Sequence, residues 1–569
     1  MVCSLRQRAR RAECVGVVLV VALCACAAVP GGSGGGGGGG YDGTGGGAGY
    51  GRRDERQVVG SYSDVRAVGV SRRYVFSATS SGIGIYDRVV NAWQPPLTRA
   101  NGFVEGDQVT VLAGDPVEDA VWIGVPGAVV VYRPQTEQLQ RTCIPGIPDF
   151  IAFDRTGNGD ALIRASGLWT RVSRIGLSQP LAQSPAASTL LLPRTLQDVY
   201  EQFPQLRSST ALLLREQKAD RALRHFPVIS GSMSPERSNE VWLGTSGDGL
   251  YRVDPSFQQA TALRFGPIES GIGALAIAAD GVWGAGLGLS FIRAGLSFAS
   301  NNLERWRWID GSISVPLLGV RANAMSLRAE RAWIATDRGV VRARLDGSDD
   351  LAAWTALDGL PSDQVYAIAA RTDGAWAGTA RGLVWLSDSA GARRTRARGI
   401  GLRLLDNVAV FALQPIGDTL WIGTNAGLLA LPGVDGRNGA LVRPVGTDPA
   451  LRRPIRALAW SDTMLLAATD DAILRLAPRG GTEPTRMLAL DVRQAGQLTR
   501  LAIDDRSIVM SGTAGVVVLS RRASAPRVLR IPGDLPGPAL DIALSRDWLW
   551  IATPVGLARF RRANDGGLP

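Results

Sequence analysis

Residue types that carry out catalysis are scarce in this chain. Of 569 residues a single one is histidine, His225. A Ser–His–Asp relay could be assembled only around it, and a multi-histidine metal site not at all. His225 ends a stretch whose Leu196, Val199, Phe203, Leu212, Leu213 and Leu223 follow helical spacing, where a lone histidine reads as a surface or capping residue. The run DRTGNGD at 154–160 has carboxylates but neither the alternating ligands nor the distal glutamate of a calcium loop. It takes the place that other repeats fill with Asp373-Gly374 or Asp280-Gly281, so it reads as a hairpin turn. The glycine strings have no phosphate-loop lysine and precede strands. No catalytic residue, metal or cofactor is expected.

Recognition chemistry is better represented. Arg338 and Arg381 occupy the same turn position in successive repeats, with Asp337 beside the first and Asn425 in the next repeat. Arginines so placed suit carboxylate or sulfate groups, against the plainer reading of solvent-exposed turns. Trp306 and Trp308 alternate with Arg305 and Arg307 and would either stack on a sugar or pack between rings. The formal charge is +11, but the basic residues are spread along the repeats, and Lys218 is the one lysine. That describes a solvated basic surface and not a nucleic-acid tract.

The elements that must position these residues form a repeat. A tryptophan followed by a small-residue hairpin recurs as VWLGTSGDGLYRV at 241–253, AWIATDRGVVRA at 332–343, AWAGTARGLVWL at 375–386, LWIGTNAGLLAL at 420–431 and LWIATPVGLARF at 549–560. With weaker copies there are about eleven, mostly roughly 40 to 50 residues apart, the period of four-stranded propeller blades. Alternating strands bounded by Gly, Asp and Asn turns fit one antiparallel sheet per copy. Such sheets bury their faces only by stacking, with Trp242, Trp283, Trp333, Trp376, Trp421 and Trp550 filling the interfaces.

An all-β propeller protein of about 11–12 blades exceeds the usual four to eight per ring, so two rings of about six are expected. The first would span 55–310, with a helical insertion near 177–240, and the second 311–566, the spacing anomaly at 305–318 marking the boundary. The segment ERQVVGSY at 55–62 is a strand without a blade, and the last copy lacks a fourth strand. Pairing the two would close a ring and remove an exposed edge; the other ring would then be inserted into it.

The N-terminus has a different character. Arg6, Arg8, Arg10 and Arg11 precede an apolar run at 15–29, the layout of a secretory leader over residues 1–25. The sequence Leu23-Cys24-Ala25-Cys26 resembles a bacterial lipobox, which implies a lipid on Cys26 and attachment to a membrane; ordinary cleavage near Ala28 is the alternative. A Gly-rich linker fills 26–54. With the leader removed and Cys26 lipidated, Cys143 remains as one cysteine without a partner for an intramolecular bridge.

Asp107-Gln108-Val109 or Asp363-Gln364-Val365 opening a strand, then LWIGT at 420–424 and Gly427-Leu428, resemble the two-component regulator propeller repeat across roughly 62–561. That resemblance implies an extracytoplasmic sensor or binding propeller for sugars among other ligands. Such propellers are commonly fused to histidine kinases, and this chain departs from that plan in showing no membrane helix or kinase after the repeats. The expected function is non-catalytic binding of a glycan or acidic ligand at the cell envelope. A scaffold for envelope or outer-membrane protein assembly, partnered by an envelope protein, is the alternative, and a propeller lyase or hydrolase the third reading.

Overall fold

The computed structural model describes residues 56–568, apart from 99–101, 104–107, 156–158, 208–225, 235–238, 258, 291–292, 312–316, 318, 347–349, 389–399, 434–440, 462–463, 478–480, 487–493 and 523–524. The leader, Cys26, the Gly-rich linker and His225 therefore lie outside the described residues. What is described is all-β, in eleven antiparallel sheets. Ten consist of strands consecutive in sequence. In the eleventh, Arg56–Val59 pairs with Gly556–Arg561 and serves as the outer strand of the last blade.

The repeat motif has a clear physical basis. In Thr-x-x-Gly the threonine hydroxyl donates to the glycine carbonyl, as in Thr336 to Gly339 (2.7 Å), Thr379 to Gly382 (2.9 Å) and Thr424 to Gly427 (2.7 Å). The same hydroxyl accepts from the N–H two residues on, that of Arg338, Arg381 or Ala426. The glycine has positive φ, 114° at Gly339 and 152° at Gly556. A Cβ there would collide with a carbonyl of the fourth strand, Trp354 or Val59, so no other residue fits. The repeat tryptophans sit on second strands with almost no exposed surface; Trp242 and Trp550 have none.

Inner-strand packing sorts the blades into two unequal rings. Seven blades (272–310, 322–354, 365–404, 410–444, 457–486, 498–530 and 541–561) follow one another in a circle that closes where Ile272–Ala278 meets Asp541–Leu544. The other four (67–97, 111–143, 148–181 and 228–263) are inserted between the closing strand Arg56–Val59 and the rest of the large ring. The division falls in the crossing at 264–271 and not at 305–318. The stretch at 305–318 carries the last strand of a blade whose inner strand packs against both large-ring neighbours.

Four blades do not complete the small circle. Between its third and fourth blades lies 182–227, narrower than the 177–240 read from sequence because Ser178–Leu181 and Val228–Met233 are blade strands. Within it Leu190–Leu191 pairs with the inner strand Pro148–Asp154. The helix Leu196–Gln202, with a Thr195–Asp198 capping box, packs Val199 against the fourth blade together with Leu206, Val241, Leu243 and Tyr251. The insertion supplies the apolar face that a neighbouring blade would otherwise provide.

One core cluster runs through both rings, joining Tyr62, Trp93, Trp242 and Phe265 to Ile272, Leu275 and Trp550. Phe265 stacks on Trp93 (4.7 Å) and meets Tyr62 and Trp306 edge-on. Arg293 of the large ring reaches buried Asp248 of the small one at 2.6 Å. Cys143 ends the outer strand Gln138–Cys143 of the second small-ring blade, and the four other cysteines, residues 3 to 26, lie outside the described residues.

Candidate ligand mouth of the large ring

In five large-ring blades the inner strand slips by one residue against its neighbour, leaving Gly273, Asn323, Tyr366, Phe411 and Thr499 unpaired. A β-bulge re-aims the side chain it frees and is common at rims and binding sites. In the two remaining blades Arg456 and Leu540 hold the corresponding place, their N–H groups bonding to Ala468 and Ala552. One residue per blade thus lies where the chain enters the inner strand.

Three of these make a continuous surface over consecutive blades. Tyr366 and Phe411 have ring centroids 5.6 Å apart, and the Arg456 guanidinium lies 4.6 Å from the Phe411 ring. All three are half-buried. Arg456 is held by Asp470 (2.9 Å), which also accepts from Gln497. The hydrogen bond from Arg456 keeps the Asp470 carboxyl below its ordinary range. A cation fixed over an aromatic face, with a second ring beside it, can stack on a sugar and pair with its acidic group.

Below the rim, the residue after the bulge is Ala274, Ala324, Ala367, Ala412 and Ala457 in five blades, but Arg500 and Asp541 in the sixth and seventh. These two meet at 3.4 Å. Asp541 also accepts from the Leu275 N–H at 2.8 Å, and Arg500 donates to the Asn323 carbonyl at 2.6 Å. The network therefore runs across the channel from the sixth blade to the second. Burial raises the Asp541 carboxyl despite the opposing pull of Arg500.

Of the residues singled out from sequence, Arg338 and Arg381 are exposed on turns of the second and third large-ring blades. Both turns bond to the segment leading into their own inner strand, Asp337 to Arg321 and Ala380 to Gln364, which places them on the same face as the rim. Asp337 and Asn425 latch that contact, accepting from the Arg321 and Ala409 N–H groups at 3.0 and 3.1 Å. The corresponding positions in the next two blades are Ala426 and Asp471, and Asp471 pairs with Arg453. The arginine arc therefore spans two blades.

Trp306 and Trp308 lie at the seam between rings, their indole N–H groups bonded to the carbonyls of Leu303 (2.9 Å) and Gly266 (2.8 Å). Asp154, in the acidic run, pairs with Arg171 at 2.9 Å. Tyr366, Phe411, Arg456, Arg500 and Asp541 were not singled out from sequence. Their signal is a column reading apolar–variable–Ala at the head of five large-ring repeats, as in Val365-Tyr366-Ala367 and Ile455-Arg456-Ala457, with Arg500 and Asp541 breaking the Ala position in the other two.

No family model and no curated protein matches the sequence. Among solved structures the chain is similar to the extracellular domain of a putative one component system from B. thetaiotaomicron, at 14% identity and a TM-score of 0.39, covering 89% of this chain and 71% of that one. It is similar to PorZ, a bacterial surface component of the type-IX secretion system of Porphyromonas gingivalis, at 14% identity and a TM-score of 0.41, covering 88% and 68%. It is also similar to virginiamycin B lyase from Staphylococcus aureus, at 11% identity and a TM-score of 0.40, covering 52% and 96%. The chain's own sheet order and closed circle of inner strands make it a β-propeller protein.

Proposed function

We propose that this protein is a non-catalytic, extracytoplasmic binding propeller that takes a glycan or other ligand bearing an acidic group at the mouth of its large ring. The observation that carries this reading is the Tyr366–Phe411–Arg456 surface, with Arg456 oriented by Asp470. Arg338 and Arg381 on the flanking turns add cations on the approach, and the Arg500–Asp541 pair forms the floor. Export rests on the arginine-led leader and the lipobox-like Cys26, which would hold the protein at a membrane.

Titration calorimetry with oligouronides and with neutral oligosaccharides of the same length tests the reading. Binding is expected for the acidic series, with Phe411→Ala and Arg456→Ala each lowering affinity tenfold or more. The Arg338→Ala/Arg381→Ala pair should cost less, because exposed cations are screened. Acidic oligosaccharides that bind every variant equally, or none, would sink the mouth as the site. If crosslinking captured one envelope protein and none of these substitutions weakened the capture, the scaffold reading would replace it.

A further inference from the structure

The two rings differ in what their turns present at the end opposite the Thr-x-x-Gly hairpins. In the small ring all four blades carry apolar tips there: Val89 and Val90, Val117, Ile175 and Leu177, and Phe257, each between 56% and 77% exposed. Each turn is built to hold its tip. Asp87 accepts from the Val89 N–H, Asp115 from Val117, Ser173 from Leu177 and Asp254 from Phe257. A large-ring turn built the same way, with Asp504 accepting from Arg506 and Ser507, presents Asp505 and Arg506 instead, and among the described residues Leu441 is the one large apolar side chain the large ring exposes at this end.

We propose that this end of the small ring docks on a phospholipid bilayer. The tips stand on four separate turns around a circle, a layout that dips several points into an interface and does not form one groove for a peptide. At the same end lies a cavity of about 130 Å³, lined by Val70, Leu112, Phe153 and Met233 together with Arg194 and Ser232, and reaching Pro116 beside the Val117 tip. Of the acidic residues on this end, Glu118 is engaged by Arg174 at 2.8 Å and Glu240 by Arg252 at 3.2 Å, Asp119 accepts from the Arg73 N–H, and Glu137 is exposed. Arg72 and Arg155 stand exposed in its turns, placed to face lipid phosphates. The lipid expected on Cys26 would keep such a surface within reach. The docking face does not depend on what the large-ring mouth binds.

The test uses the full chain with a polarity-sensitive nitrobenzoxadiazole label on Phe257→Cys, on Ile175→Cys and, as control, on Asp505→Cys, the labelled wild-type chain giving the background. On phosphatidylglycerol–phosphatidylethanolamine vesicles the labels at 257 and 175 should shift to the blue and be quenched by spin-labelled acyl chains, while the label at 505 stays in water. The Ile175→Ser/Leu177→Ser/Phe257→Ser chain, tethered by the same N-terminus, should show at least a tenfold weaker blue shift from a label on Val117→Cys. Labels at 257 and 175 that stay as wet as the one at 505 while the chain is vesicle-bound would overturn the proposal. So would shielding that arises only with envelope protein and not with lipid.

Discussion

The two rings complete their circles by different means. The large ring uses a unit of its own repeat, since Arg56–Val59 continues the last sheet in register with Gly556–Arg561. The small ring uses a foreign piece, a short strand and a helix that cover the exposed flanks of its third and fourth blades. A blade interface thus requires an apolar face of the right width and not another blade. Both rims carry one residue per blade at the head of the inner strand, Arg66, Thr110, Asp149 and Ile229 in the small ring, so the closures differ in the channel and not at the rim. Where an insertion closes the ring, Leu191, Leu192, Pro193 and Arg194 line the channel cavity.

If closure by register matters as described, Gly556→Val should be the most damaging change. Its φ of 152° and the Val59 carbonyl both exclude a side chain. A cost of about 3 kcal/mol is expected from strain and lost pairing, read as an earlier denaturant transition of the large ring with the small-ring transition in place. A single unshifted transition would show that the rings do not differ in this way.

A smaller effect addresses the crossing between rings. Buried Glu269 accepts from the Leu289 and Ser290 N–H groups, and burial raises its carboxyl to about 7 against those bonds. Unfolded, it titrates near 4.5. Between those values the folded chain holds a proton that the unfolded chain has released, so stability falls as pH rises from about 4.5 to 7 and levels off above. The loss is on the order of 3 kcal/mol at most, and Asp541 acts in the same direction. Glu269→Gln should flatten that part of the profile of melting temperature against pH; an unchanged profile would remove Glu269 as its cause. The smallest change is expected in the small ring at Gly127, whose φ is 78° but whose Cβ would meet nothing within 4 Å. Gly127→Ala should cost about 1 kcal/mol by melting, from backbone strain alone.

The propeller was legible in the sequence because each blade needs the same solution at the same place. Trp376 fills an interface, Thr379 closes a turn and Gly382 avoids a carbonyl, and such constraints repeat in the letters. The ring sizes were not legible, since blade 272–310 has the same grammar whichever ring it joins; the closing contact between Ile272–Ala278 and Asp541–Leu544 joins residues far apart in the chain. The mouth was missed for the opposite reason. Tyr366, Phe411 and Arg456 occupy the column left variable by the fold, and a search for repeated residues passes over it. Arg338 and Arg381 repeat at the same turn position, but the series stops after two blades. Trp306 and Trp308 mark a spacing anomaly in the sequence, and the structure places them at the seam.

The Arg56–Phe560 pairing also orders the events of assembly. The first residues of the folded body are the last to find their place, because their partner is made some 500 residues later. The small ring is complete once Leu263 has emerged, whereas the large one stays open until nearly the whole chain is available. A polypeptide cut short in its final blade would therefore carry one finished ring and one with two bare strand edges, the form most prone to pair with its neighbours.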